Sequence, residues 1–364
     1  MAADCIWPEK YCLSQDTKPA LEPSTGAEKI WAVRHGMAPV LAWYGQQDSA
    51  PGTTGSLRTC QTPLQRAWLL SLAMQKHWDA LCVNVTSRGQ AHHRPVLVFK
   101  GQALAHAIYP HPALRARSDM DILVRQADRD WWHNQLQTLG FCVLPSRQGR
   151  WVSFQNTYVK PLPGGRRLLV DMHWRINNRV DFHRQQAFSV LAKRATALSL
   201  GRHQIHTLNS VDALQLAVFH YYGHRPEDRK HLWLYDVALL WPLVAERNNA
   251  QGLLPDMAGL LHSMRKQLER VFTGCVFPSI APKAASQGQG FMPYAEQRQS
   301  KWRDFRHRWR QLESWKARWG LLADYLFQPR TYVARRFSAP VDWRIWLYYP
   351  RMWWQDFRRL LKRH

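Results

Sequence analysis

Apolar positions along the chain change their period in an order that predicts the fold. From Leu64 to Val85 they recur at helical spacing, at Leu64, Trp68, Leu69, Leu72, Met74, Trp78 and Leu81, which predicts an amphipathic helix packed on a sheet. The sheet begins near Pro95. Val96–Phe99 is a short apolar strand, a tight glycine turn at Lys100-Gly101-Gln102 opens a helix, and a second strand carries Asp119 and Asp121 through Val124. Asp128 to Gly140 then predicts a short helix closed by glycine, and Phe141–Leu144 a strand. Trp151 to Val159 and Arg167–His173 predict two further strands around a turn at Pro161–Gly165. Ser210 to Leu240 returns to helical spacing, and a modest helical stretch covers Glu28 to Tyr44. The expected class is α+β: a small mixed β-sheet with flanking helices, followed by a helical domain.

Punctuation divides the chain further. Residues 1–63 read as an extension and linker, with Gly, Ser, Thr and Pro concentrated from Gln46 to Pro63. Residues 64–200 form the expected α/β domain, 201–277 the helical domain and 278–300 a second linker. In 301–364 the composition turns to Trp and Arg. Trp302, Phe305, Trp309, Leu312, Trp315, Trp319 and Leu322 form an aromatic stripe, with Arg303, Arg306, Arg308 and Arg310 between them. Three uses fit: packing on the helical domain, lying on an anionic membrane at headgroup level, or stacking on RNA bases while arginines meet phosphates. The segment from Asp342 to Leu361 repeats the same chemistry.

Charge narrows the partners. Fifty Lys and Arg against 26 Asp and Glu leave a formal +24, which favours nucleic acid, nucleotides or an acidic membrane surface. The six cysteines, at 5, 12, 60, 82, 142 and 275, show no zinc spacing and read as reduced thiols of a cytoplasmic protein. Met1–Pro8 lacks the basic start and apolar core of a secretory signal, and no run approaches the length of a membrane span.

The candidate chemistry lies where the first two strands meet the glycine turn. Side chains two apart on a strand share a face, so Asp119 and Asp121 are expected to project together. Two carboxylates on one face repel unless a cation sits between them, and Mg²⁺ or Mn²⁺ takes such oxygen ligands together with substrate phosphates. The helix opening at Gly101 offers unpaired N–H groups to phosphate oxygens. Asp171, on a later strand, is the candidate third carboxylate, and three such groups can hold two metal ions. His173 shares its face, either to contact nucleotide or acceptor or as a hydrogen-bonded structural residue. Arg115 and Arg117 are suited to triphosphate charge, or to pairing with Asp119 or Asp121. His220 and His224, four apart on a helix, have a spacing that binds zinc, but no third ligand accompanies them.

Lys100-Gly101, Ala103–Ala105, Tyr109, Arg115 and Asp119–Val124 together resemble the uncharacterised nucleotidyltransferases of bacteria, within the DNA polymerase β-like superfamily. The resemblance extends through Val170–Trp174, Val211 to His220 and Trp233–Asp236, over about residues 65–245. It implies the nucleotidyltransferase fold, an NTP substrate and a divalent metal held by Asp119, Asp121 and Asp171. It further implies nucleotide contacts at Lys100, Gly101, Gln102, Arg115, Arg117, Ser118 and His173. Gln102 departs from the usual small residue after the glycine, and the interval from Gly101 to Asp119 exceeds the minimal superfamily pattern. Arg229–Asp236 is similar to a helical segment of abortive-infection toxin nucleotidyltransferases, which implies that Lys230 faces the nucleotide and Asp236 fixes the helix.

The expected activity is metal-dependent transfer of a nucleoside monophosphate from NTP to a hydroxyl or phosphate acceptor. RNA, a protein side chain and a sugar or lipid-linked precursor are all open as acceptor, with peripheral membrane contact through residues 301–364. The alternative is a catalytically inactive binding module of the same fold, docking a membrane or RNA through its basic aromatic tail.

Overall fold

In the computed structural model the described residues are 26–47, 62–145, 153–177, 186–246, 252–272, 274–280, 305–306, 309–310, 312 and 314–361. The expected strands at Trp151–Val159 and the linkers at 46–63 and 278–300 therefore lie partly outside them, as do Trp302, Arg303 and Arg308. The expected α+β class is present, as a five-stranded mixed sheet with helices and further helices toward the C-terminus. The chain divides into two compact units, one of Met1–Ser87, Val98–Met120 and Arg194–Glu296, the other of Arg88–Leu97, Asp121–Lys193 and Gln297–His364.

Helices α1 (Gly26–Arg34) and α2 (Ala38–Gln47) replace the single stretch expected from Glu28 to Tyr44. Gly36, at φ +74, breaks them: a Cβ there would lie 2.9 Å from Leu232 Cδ2, so both the backbone and the space require glycine. Helix α3 (Pro63–Ala91) starts on a reciprocal capping box. Thr62 Oγ1 accepts from Gln65 N–H at 3.2 Å, and Gln65 Oε1 accepts from Thr62 N–H at 3.3 Å. It runs six residues beyond the expected Val85, and Thr86 within that extension turns its hydroxyl onto the Cys82 and Val83 carbonyls.

The sheet contains β1 (Val96–Phe99), β2 (Met120–Val124), β3 (Cys142–Val143), β4 (Gln155–Pro161) and β5 (Arg167–His173), in the order β1-β2-β5-β4-β3. Between β1 and β2 lies α4 (Gly101–Ala107), and between β2 and β3 lies α5 (Arg129–Thr138). Every residue of β1 and β2 is buried, which explains the unbroken apolar run of β1 and the apolar residues on either side of Asp121 in β2. β4 and β5 are antiparallel around the Pro161–Gly165 turn, with Gln155 opposite His173 and Thr157 opposite Asp171.

After α6 (Phe188–Lys193) an antiparallel hairpin of β6 (Thr196–Leu200) and β7 (His203–Thr207) stands where no strand is expected. Most of its side chains are exposed, so it lacks the apolar alternation of a core strand. The continuous helix expected from Ser210 to Leu240 is two, α7 (Ser210–Gly223) and α8 (His231–Ala245). Pro226 separates them in a short 3₁₀ turn. Asn209 caps α7, and Arg194 grips Asp212 in its first turn through two contacts of 2.6 and 2.7 Å. Helix α9 (Ala258–Val271) buries Leu260, Leu261, Met264 and Leu268.

The C-terminal residues form α10 (Trp315–Leu326), α11 (Arg330–Phe337), a 3₁₀ turn (Trp343–Leu347) and α12 (Tyr348–Leu361). Ser314 caps α10 and resets the phase of the aromatic stripe. Leu321, not Leu322, becomes the buried position, packed with Leu312, Ala317 and the partly buried Phe305 and Trp309. Trp315 and Trp319 face outward. Cys82, Cys142 and Cys275 are free thiols, and burial pushes Cys82 up to about 12, so it stays protonated.

His35 at the end of α1 and His231 at the start of α8 meet at 3.2 Å between Nδ1 atoms, with Trp31 against both rings. One ring must accept from the other, so both cannot carry a proton on Nδ1. Burial lowers the pKa of both. The charges of Arg34 and Lys230 press His35 further down, partly offset by its hydrogen bond with the Arg229 backbone, and His35 presses on His231. A depressed histidine pKa makes the folded state bind fewer protons than the unfolded chain. The stability contribution is therefore intact above about 6.5 and lost as pH falls through the lower folded values. Thermal melting should show a falling Tm as pH drops from 7 to 5, with a flatter dependence in His35→Asn/His231→Asn.

Candidate functional site

Alternation places the chemistry. On β5, Leu168, Val170 and Met172 turn into the core, so Asp171 and His173 share the opposite face. On β2, the neighbour of β5, Met120, Ile122 and Val124 take one face and Asp121 the other. One ligand atom each from Asp121, Asp171 and His173 lies within 4.8 Å of the others, the one group among the described residues with metal-ligand geometry. Asp121 and His173 are buried and Asp171 is half-buried.

Hydrogen bonds orient all three. His173 Nε2 lies 3.0 Å from Asp121 Oδ1. Thr157, directly opposite Asp171 on β4, donates its hydroxyl to Asp171 Oδ1 at 2.6 Å, and Gln155 Nε2 donates to Oδ2 at 3.3 Å. Two carboxylates and an imidazole are a donor set suited to Mn²⁺ or Mg²⁺, the nitrogen favouring Mn²⁺. Asp121 is buried, and carboxylates in such positions are commonly paired or coordinate metals.

Gln155 also lines a cavity of about 670 Å³. Of the aromatic rings that wall it, two have a guanidinium over the face: Trp174 under Arg129 at 5.4 Å and Phe154 under Arg175 at 4.2 Å. Asn156 and Asp324 add polar edges. This size and mixture suit a small polar ligand or one residue of a larger one.

The other residues singled out in the sequence fall as follows. Asp119 is half-buried, one residue before β2 and outside the group of three; its charge helps keep Arg115 protonated. Arg115 is buried and grips Asp236 of α8 at 2.7–3.0 Å, while Tyr109 donates to the same carboxylate at 2.6 Å. Desolvation opposes the Arg115 charge, yet the Asp236 carboxylate holds its pKa above the ordinary value. Arg117 donates to the Pro112 and Arg115 carbonyls and to Gln75, and burial with the Arg115 charge lowers it to about 10. Gln102 is buried and donates to Asp79, which also receives Gln75 and meets His106. A glutamine after Gly101 thus ties α4 to α3.

At the turn itself Lys100 has φ 51 and ψ −131, a strained backbone for a side-chain-bearing residue, and Gly101 begins α4. Ser118 is exposed. Lys230 is exposed over the Trp233 ring at 5.6 Å. The charges of both Lys100 and Lys230 bear on His224, adding to the burial that lowers its pKa. His220 meets Trp233 edge-on and His224 meets it tilted, each with ring centroids at 4.5 Å.

Thr157 and Gln155 are the supports the sequence reading missed, and Asp236, expected to fix its helix, does so through a partner that was not foreseen, Arg115. Counting outward from the Pro161–Gly165 turn would have placed Thr157 opposite Asp171. Nothing local marks Asp236 as the partner of Arg115, 121 positions away.

The family described as uncharacterised nucleotidyltransferase matches residues 30–260, well over half of the chain. Among solved structures, the chain is similar to an antigenic nucleotidyltransferase-like protein from Paracoccidioides brasiliensis, at 16% identity over 56% of this chain and 94% of that one, with a TM-score of 0.37. It is also similar to the antibiotic-resistance factor ANT(2'')-Ia, at 10% identity over 54% and 94%, with a TM-score of 0.35. No curated protein matches the chain.

Replacing Thr157 by Val keeps a strand-forming side chain and removes the 2.6 Å hydrogen bond that orients Asp171. Calorimetric titration with Mn²⁺ should show an affinity lowered about 10–100-fold with the Tm little changed. Unchanged affinity would mean that Asp171 is no ligand.

Proposed function

The chain belongs to the uncharacterised nucleotidyltransferase family, and from that premise we propose that it transfers a nucleoside monophosphate from an NTP to a hydroxyl or phosphate acceptor. The observation that carries this reading is the convergence of Asp121, Asp171 and His173 on one face of the sheet. Asp121 and Asp171 would hold the divalent cation, Mg²⁺ or Mn²⁺, with His173 as a further ligand or as the group that orients Asp121; Asp119 contributes carboxylate charge at the entrance to β2. Bound there, the cation supplies charge neutralisation for the triphosphate and acidifies the attacking hydroxyl.

Asp171 is the half-buried carboxylate, fixed by Thr157 and Gln155. It takes up the acceptor proton as the acceptor oxygen bonds to the α-phosphorus and the α–β bridging bond breaks, with pyrophosphate leaving. Lys100, the amides at Gly101 and Gln102, Ser118 and Lys230 are assigned to the phosphates. Arg115 and Arg117, engaged by Asp236 and Gln75, set the backbone leading into β2. This reading seats the acceptor in the cavity bordered by Gln155 and Trp174, since Gln155 touches both the cavity and Asp171.

Incubation of a lysate with each α-labelled NTP and Mg²⁺ or Mn²⁺ tests the reading, with separation into RNA, protein and small-molecule fractions. Wild type should label one fraction, which names the acceptor class, and Asp121→Asn or Asp171→Asn should lower incorporation roughly a hundredfold or more. Variants as active as wild type would contradict the assignment. NTP binding without transfer into any fraction would favour a binding module.

A further inference from the structure

The 3₁₀ turn Trp343–Leu347 runs directly into α12, and the combined element is apolar on two faces. Ile345, Tyr349 and Met352 face inward and are buried against Val333 and Ala334 of α11. Trp343, Leu347, Pro350, Trp354 and Phe357 follow one another at intervals of four, three, four and three residues and face outward. Trp343 is 72% exposed, Leu347 67%, Trp354 58% and Phe357 49%. A surface helix ordinarily ends its apolar stripe at the core side, so a second stripe in water marks a face built for contact.

The flank of that stripe is basic at a fixed period. Arg344, Arg351 and Arg358 stand seven residues apart, all exposed, each one position after Trp343, Pro350 or Phe357. Arg351 and Arg358, seven apart on α12, line one side of that helix, and Arg344 stands in the 3₁₀ turn that leads into it. The acidic residues of the segment are occupied: Asp356 is held by Arg336, and Asp342 caps the 3₁₀ turn and lies 3.4 Å from Arg344. No helix among the described residues is long and apolar enough to cross a membrane.

We propose that this face docks on an anionic phospholipid surface, with α12 lying in the headgroup plane, its outer apolar stripe entering the acyl boundary and its arginine row meeting lipid phosphates. Trp and Phe beside Arg are the side chains that such an interface favours. A second copy of the chain is a poorer occupant, because Pro350 and two tryptophans do not form the regular knobs of a helix seam and the arginine rows of two copies would repel. RNA is also poorer, because Leu347 and Pro350 offer no ring face for stacking. The inference stands apart from the reading of the carboxylate site.

Flotation of the full chain with vesicles tests it, using pure phosphatidylcholine and an equal mixture of phosphatidylcholine and phosphatidylglycerol. Wild type should float with the anionic vesicles, less with the neutral ones, and less at high salt. Leu347→Glu/Trp354→Glu should abolish flotation with circular dichroism unchanged. Removing the arginines in Arg344→Gln/Arg351→Gln/Arg358→Gln should lower the partition coefficient by about fivefold for each. The salt and lipid dependence of the wild type needs no variant, so a misfolded substitution leaves the test intact. The proposal is overturned by wild type that stays unbound, by variants that float equally, or by binding indifferent to lipid charge and salt. Absence of flotation with polyuridylate binding or dimerisation lost in Leu347→Glu/Trp354→Glu would overturn it in favour of RNA or self-association.

Discussion

A carboxylate on a fully buried strand is the constraint on which the site depends. Every residue of β2 is buried, and Asp121 sits among Met120, Ile122, Leu123 and Val124. Moving an isolated carboxylate out of water is so costly that such a group needs a specific partner. His173 supplies a hydrogen bond at 3.0 Å, and Asp171 places a second carboxylate close by. A fold arranged only for stability would place an apolar residue at position 121. Two carboxylates and an imidazole gathered in this way are a donor set that a divalent cation fits.

Around this centre the supporting interactions divide by unit. In one, the antiparallel pairing of β4 with β5 sets Thr157 and Gln155 against Asp171, so sheet register fixes the carboxylate. In the other, the buried Arg115–Asp236 pair, joined by Tyr109, ties the segment entering β2 to helix α8. Breaking a buried pair by removing one partner costs about 3–5 kcal/mol, because the remaining charge is left unsolvated. That lock accounts for an arginine that charge alone would have assigned to a triphosphate.

The parts of this arrangement visible in the sequence were those with a local signature. The apolar run at Val96–Phe99 and the apolar residues Met120, Ile122, Leu123 and Val124 marked strands, the second expected half-buried where it is fully buried, and the two-residue step from Asp171 to His173 marked a shared face. Thr157 was hidden because its importance comes from register, which depends on how the Pro161–Gly165 turn closes. Arg115 and Asp236 carry no mutual signal over 121 positions, and hairpin β6–β7 was hidden because its exposed strands lack an apolar face. In the C-terminal region the aromatic spacing was plain, but Ser314 starts a new helix, so the stripe changes phase and Trp315 and Trp319 turn outward.

The central claim is that Asp121, Asp171 and His173 form a metal centre. Its most direct test is anomalous diffraction from crystals soaked in Mn²⁺, with data collected near the manganese absorption edge. The account predicts a peak within coordination distance, roughly 2.0–2.6 Å, of carboxylate oxygens from both Asp121 and Asp171. A protein with no peak on that face, or with manganese bound only at other carboxylates, would contradict it.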